Sequence, residues 1–376
     1  MSNTTNPVFN DNPLKLGIFC INGRGAAMTT VPEQKPLSWD GTLKSAVMAD
    51  RMGFEAIVPF ARWKGYVPGK PEHVTGRVYD PYIFAAAIAQ ATNYSGIFAT
   101  SHVPTVHPIM AAKQCATIDH ISGGRFGLNV VAGWNQPELE MFGNPMKEHT
   151  KRYDHAEEWL LVLRRLWSEK EEFDHSGEFF NITGGMSEPK PIQPTIPIMN
   201  AGGSDKGQDF AVSKADMCFI ILRSEDEEMC RKQVEDYKTM ALEKYGRDIQ
   251  VWIHTYVVQR DSQQEAEAYL QNYAVTNRDE EALAGWMAGQ EKNTKLMPPE
   301  VLNTFQMRFA AGAGGFPLVG TAGHIANRME MLSRIGVSGA LLTWVDFHDG
   351  LSRWGHGVMP LLEQAGLRKS FQRAAA

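Results

Sequence analysis

Cysteine is scarce in this sequence. There are four in 376 residues, Cys20, Cys115, Cys218 and Cys230, far apart and with no CxxC pair. That spacing disfavours a zinc site and a dithiol redox motif, and leaves each thiol as a small buried hydrophobe. No run approaches the roughly 18 apolar residues of a membrane span, and the polar start MSNTTNPVFNDNP lacks the apolar stretch of a secretory leader. The expected location is the cytoplasm. Basic excess is also missing: the net charge is −6, which argues against nucleic acid or an anionic membrane as partner, because both call for a concentrated basic face. Several catalytic signatures are absent as well. There is no GxGxxG opening a helix, no GxxxxGK[ST], no GxSxG and no HExxH, which disfavours a Rossmann dinucleotide enzyme, a P-loop NTPase and an α/β-hydrolase. The eleven histidines are dispersed and form no metal-ligand set, so no metal is expected; a metal-dependent barrel hydrolase stays only as a fallback.

What is present is a repeated strand-then-helix unit. Short apolar runs at Leu14–Cys20, Phe54–Phe60, Gly96–His102, Phe126–Ala132, Ile196–Ala201, Asp216–Leu222, Gln250–Val258 and Gly339–Phe347 make eight strands, with amphipathic stretches between them. Near-continuous apolar strands alternating with helices call for a parallel sheet covered on both faces. Eight such units fit an α/β closed (β/α)8 TIM barrel better than a doubly wound open sheet, and one domain spanning residues 1–376 is the economical reading. Two insertions break the beat. Residues 169–194 alternate aromatic and polar positions with Gly and Pro punctuation, predicting a hairpin excursion. Residues 284–320 exceed a simple barrel connection, predicting a lid over the mouth.

In a barrel of this kind the C-terminal strand ends form the working face. They carry Thr100 and His102 on the third strand, Asn129 and then Gly133-Trp134-Asn135 on the fourth, NAGGSD after the fifth, and Trp344, Asp346 and His348 on the last. In HISGGR, Gly123 or Gly124 can take the left-handed conformation that ends a helix. Asn129 lies in an otherwise apolar strand and needs hydrogen-bond partners; a satisfied core amide and a ligand contact are both open. NAGGSD can present backbone N–H groups to a phosphate, with Ser204 or Asp205 capping the next helix, although such a turn is also common scaffold.

The run HPIMAAKQCATIDHISGGRFGLNVVAGW, followed by ELEMFG and RYDHAEEWLLVLRRLW, resembles the bacterial luciferase-like family of flavin-dependent monooxygenases. The similarity is greatest to its pyrimidine-oxygenase and dimethyl-sulfone-monooxygenase branches, and it extends from LKLGIF to GVMPLLEQ. The resemblance implies a luciferase-like barrel that takes reduced FMN (FMNH2) from a separate NAD(P)H:flavin reductase. It further implies that O2 is used, through a flavin peroxide, to oxygenate a small heteroatom-bearing substrate with C–N or C–S cleavage. A homo-oligomer, dimer or tetramer, is expected with it.

Carried over residue by residue, the resemblance puts flavin contacts at Ala61, Arg62, Asn129, Glu138, Arg152, Tyr153 and Ser204. The pair Ala61-Arg62 departs from the bulkier aliphatic residue and lysine of the pyrimidine oxygenases. Oxygen handling falls to Val58, Thr100, Asn129 and Trp134, and the substrate side to Trp63, His102, Trp344, Asp346 and His348, where a tryptophan is as often packing. The contrasting reading is a flavin- or coenzyme-F420-dependent hydride-transfer enzyme, or a flavin-binding barrel without catalysis, because fold alone does not determine function.

Overall fold

The computed structural model describes residues 6–289 and 298–371. Its strands are β1 Lys15–Phe19, β2 Ala56–Val58, β3 Gly96–His102, β4 Phe126–Val131, β5 Phe173–Ser176, β6 Asn181–Gly185, β7 Ile198–Asn200, β8 Met217–Ile220, β9 Gln250–Gln259, β10 Phe316–Gly320 and β11 Gly339–Thr343. Eight of them close on themselves in the order β9-β11-β1-β2-β3-β4-β7-β8, with β8 pairing back to β9. All these pairings are parallel. This is a (β/α)8 barrel, and each barrel strand coincides with one of the eight segments read from the sequence, β9 running one residue past its segment to Gln259. β5 and β6 form a separate antiparallel hairpin within residues 169–194.

Side-chain parity divides the apolar residues between two layers. Leu16, Ile18, Ile57, Ile97, Leu128, Val130, Ile220 and Leu342 face outward and pack with the helices. Ala56, Val58, Phe98, Met199, Met217, Phe219, Trp252 and Leu341 fill the barrel. Glycine makes room for the largest of these: a Cβ on Gly339 would lie 2.4 Å from the Trp252 ring.

Followed round the barrel, the register returns to β9 about eight residues lower, so positions at one height advance by one residue per strand and alternate strands share a layer. Phe19, Thr100, Ala201 and His254 therefore share a layer. Val58, Asn129, Phe219 and Leu341 lie just below it, and Val131, Ile221 and Thr343 just above. The centre is open on the β7–β8 side, where Ala201 is exposed and the inward-parity Ile221 is 48% exposed.

The segment read as a lid is mostly regular structure. It runs from the end of the helix Glu280–Ala288 through a helix at Pro299–Gly312 to β10, while residues 290–297 lie outside the described residues. β10 has no counterpart in the sequence reading. It pairs with Thr255–Gln259 of β9, on the edge that β8 occupies lower down, because β11 already takes the other edge at Thr255 and Tyr256.

The helix Pro108–Ser122 stops where the glycines direct it. Gly123 adopts φ 65°, and the Gly124 N–H donates to Asp119 O at 2.9 Å. At the opposite end of the barrel Glu55, fully buried, accepts from Asn10, Asn12, the Leu16 N–H and Arg368.

Candidate active site

β3 and β4 place Thr100 and Asn129 as register partners on the inner face. The Thr100 hydroxyl donates to Pro59 O at 2.5 Å, and Asn129 Nδ2 donates to Thr100 Oγ1 at 3.1 Å. This direction is chemically required, because a hydroxyl whose only proton is given to Pro59 can accept but not donate. Asn129 is left with one N–H and with Oδ1, which is enclosed and has no partner among the described residues. The sequence left a satisfied core amide open. The folded chain satisfies only half of it.

Beyond the strand, Gly133 at φ 91° turns the chain, and the short helix Gln136–Met141 brings Glu138 back over the end of β3. Glu138 is 1% exposed and both its oxygens are occupied: Oε1 lies 2.6 Å from His102 Nδ1, and Oε2 accepts from the Trp63 N–H at 3.0 Å. The Trp63 ring stands 5.7 Å from His102 and 5.5 Å from Phe142. Arg62 is stacked against Phe60 and Tyr66 and donates to Thr75 O and the Tyr66 hydroxyl. Burial pushes that hydroxyl's pKa up, and Arg62 opposes the shift. Ala61 is buried beside it. Trp134 stays 40% exposed, 6.2 Å from Tyr66.

The β7 end supplies a different environment. Asn200 Oδ1 accepts from Gly202, whose Cα lies 3.0 Å from where a Cβ on Gly207 would stand, so the loop Gly202-Gly203 lies tightly against the start of the helix Asp205–Lys214. Ser204 caps that helix and shares a 2.9 Å contact with His149 Nε2. Tyr153 packs against Gly207. Arg152 donates to Gly133 O at 2.6 Å, and its Nε is enclosed without a partner among the described residues. The first-turn N–H groups, a hydroxyl, an imidazole and a guanidinium make this end suited to an anion.

The β9–β11 wall carries groups that the sequence reading passed over. His254 is 2% exposed, 5.1 Å from Phe19 and 6.3 Å from Phe219, and burial lowers its pKa to about 3. Its Nε2 and Thr343 Oγ1 are enclosed and unpartnered among the described residues. Alternation along QVWIHTYVV was the available signal, since Trp252, His254 and Tyr256 share one face. The same alternation corrects the reading of Trp344. One residue past inward-facing Thr343, it points outward and packs against Phe347 and Trp354. Asp346 caps the helix Phe347–Arg353 by accepting from His348 and Asp349, and His348 is exposed. These three do not join the cluster around Thr100, Asn129, His102 and Glu138. Val58 does approach it, in the same layer as Asn129, buried in the barrel core.

Among the described residues no helix is long and apolar enough to cross a membrane. A family model described as luciferase-like monooxygenase matches residues 14–339. An FMNH2-dependent dimethylsulfone monooxygenase from Pseudomonas putida is 29% identical over 362 residues, 94% of this chain and 96% of that protein. A pyrimidine monooxygenase from Acinetobacter baylyi is 30% identical over 357 residues, 93% of this chain and 95% of that protein. Among solved structures, a long-chain alkane monooxygenase superposes with a TM-score of 0.81 at 22% identity, covering 96% of this chain and 93% of that one.

Proposed function

Because the chain belongs to the luciferase-like monooxygenase family, we propose that it is the oxygenase of a two-component system. It takes reduced FMN from a separate NAD(P)H:flavin reductase and uses O2 to oxygenate a small, heteroatom-bearing molecule of amide or sulfone type. The named activities of relatives matched over nearly their full length support this reading. The observation that carries it is the half-used amide of Asn129, held on Thr100 at the barrel mouth.

The residues present fit the cofactor. A flavin phosphate suits Ser204, the first turn of its helix, Tyr153 and Arg152, whose Nε has no partner among the described residues. A flavin ring would be held by Asn129, with Ala61 and Arg62 as further contacts. When bound, reduced FMN supplies the electrons that let O2 react. The chain's part is to bind the flavin, to keep water from the reacting atoms and to set donors where negative charge develops on oxygen. Asn129 has the spare N–H for that. Thr100, its proton committed to Pro59, acts by aiming Asn129.

The test is anaerobic titration with reduced FMN, followed by aeration with a flavin reductase present and a panel of sulfones, sulfonates, pyrimidines and cyclic amides. Tight binding, with oxygen uptake that yields an oxygenated product, is expected. Binding of a deazaflavin with hydride transfer and no oxygen uptake would overturn it. In the same titration, Arg152→Ala or Ser204→Ala should weaken reduced-FMN binding about tenfold or more, since a bond to a charged group contributes about 1.5–3 kcal/mol. Turnover at saturating flavin should change less. Binding like the parent's in both variants would move the phosphate elsewhere.

A further inference from the structure

His102 and Glu138 were assigned to different partners, substrate and flavin, but the folded chain joins them to each other. Nδ1 of His102 lies 2.6 Å from Glu138 Oε1, with the two side chains 4% and 1% exposed. The second oxygen of Glu138 is held by the Trp63 N–H, so the carboxylate is pinned at both ends. An ionised carboxylate only accepts hydrogen bonds, which puts the proton of the short contact on Nδ1. Nε2 is the ring nitrogen left over. It makes no hydrogen bond with a described residue. On β3 His102 has the parity of Thr100 and stands two residues beyond it, on the inner face at the mouth. A histidine oriented by a buried carboxylate, with its far nitrogen free, is the arrangement that general acid–base catalysis uses.

We propose that His102 transfers a proton through Nε2 during oxygenation, and that Glu138 is the positioning residue that keeps the other proton on Nδ1. The inference rests on the monooxygenase reading above. In that reaction substrate, O2 and FMNH2 become oxygenated product, water and FMN. One oxygen atom forms the new bond to substrate; the O–O bond breaks, and the other atom leaves as water. His102 takes up a proton from the medium on Nε2, gives it to that leaving oxygen and returns to the Nδ1–H form. The medium gains the protons released as the flavin is oxidised, so the balance closes. Beside Glu138, from the helix Gln136–Met141, the nearby charged and titratable groups include Arg62 and Tyr66 from the chain after β2 and Cys20 after β1, the Tyr66 hydroxyl sensing Arg62, Cys20 and Glu138. Arg62 is already committed to Thr75 O and Tyr66.

The experiment has two arms. Nitrogen-15 NMR of histidine-labelled protein reads the His102 tautomer; Nδ1–H is expected in the parent, with a shift towards Nε2–H in Glu138→Ala. A parent in the Nε2–H form overturns the proposal. In the second arm His102→Ala and His102→Asn are compared with the parent on uracil and on dimethyl sulfone. The asparagine amide can keep the tie to Glu138 but cannot pass a proton. Both variants should lose about 10² or more in kcat, with reduced-FMN affinity and KM within about threefold, and millimolar imidazole should restore much of the loss in His102→Ala only. Parent-like turnover in either variant, or no rescue, overturns the assignment. If the parent binds no reduced FMN or oxygenates neither compound, it is the functional reading that fails for these substrates, and the tautomer alone decides the pair.

Discussion

Asn129→Leu should lower product formation by about 10²–10³ while reduced flavin is still reoxidised and hydrogen peroxide is released, since donors aimed at developing negative charge are typically worth that much. The substitution is near in size and places an apolar side chain in a largely apolar layer, so the fold should survive. Thr100→Val is expected to do less, on the order of tenfold. It removes no donor to the reacting oxygen, because the Thr100 proton goes to Pro59 O; it releases the amide that the hydroxyl aims, and misplacement of a catalytic group is costly. Product assay alongside oxygen consumption separates the two. Equal losses in both variants would mean that Thr100 meets the oxygen directly, and full coupling in Asn129→Leu would move oxygen activation elsewhere in the mouth.

The second large effect is on stability and lies at the other end of the barrel. Arg368→Ala should destabilise the protein by about 3–5 kcal/mol, the usual cost of removing one partner of a buried ion pair. Arg368 Nη1 lies 2.7 Å from Glu55 Oε2, with the side chains 2% and 0% exposed, and Nη2 donates to Gly53 O at 2.6 Å. Without the guanidinium, Glu55 keeps Asn10, Asn12, the Leu16 N–H and the field of Lys15 but loses the cation bonded to it, while the chain near the C-terminus loses its clasp on β1 and β2. Urea unfolding followed by fluorescence and circular dichroism reads the shift. The double change Glu55→Leu with Arg368→Leu should cost less than Arg368→Ala, because the carboxylate is not left without the guanidinium bonded to it. A single-variant loss under about 1 kcal/mol would show that water takes the place of Arg368.

Sequence periodicity located every barrel strand, because a strand buried on both faces must be apolar throughout and is bounded by polar turns. The glycine stop at Gly123 was equally legible, being a local matter of backbone conformation. β10 was hidden among the Gly and Ala residues of 284–320. Nothing local marks FPLVG as a strand until β9 outruns β8 and offers it an edge. The outward turn of Trp344 was visible in principle through alternation, but only once the phase of that strand was known.

The resemblance named Thr100, Asn129, His102 and Glu138 as separate contacts; their couplings are tertiary. Residues 100 and 129 meet because β3 and β4 pair in one register, and a shift by one residue would turn one of them outward. His102 and Glu138 meet only because Gly133 reverses the chain and a short helix returns it across β3.

By itself, then, the sequence determined the barrel and the chemical types available at its mouth, because strand burial and residue identity are local properties of the chain. The tertiary structure alone decided which proton each polar group has left to give. Thr100 spends its proton on Pro59, Glu138 has both oxygens occupied and holds His102 through Nδ1, and Asn129 keeps a free half. Those allocations depend on distances between strands and loops far apart in the chain, and hydrogen-bonding capacity is shared out only when the partners are in place.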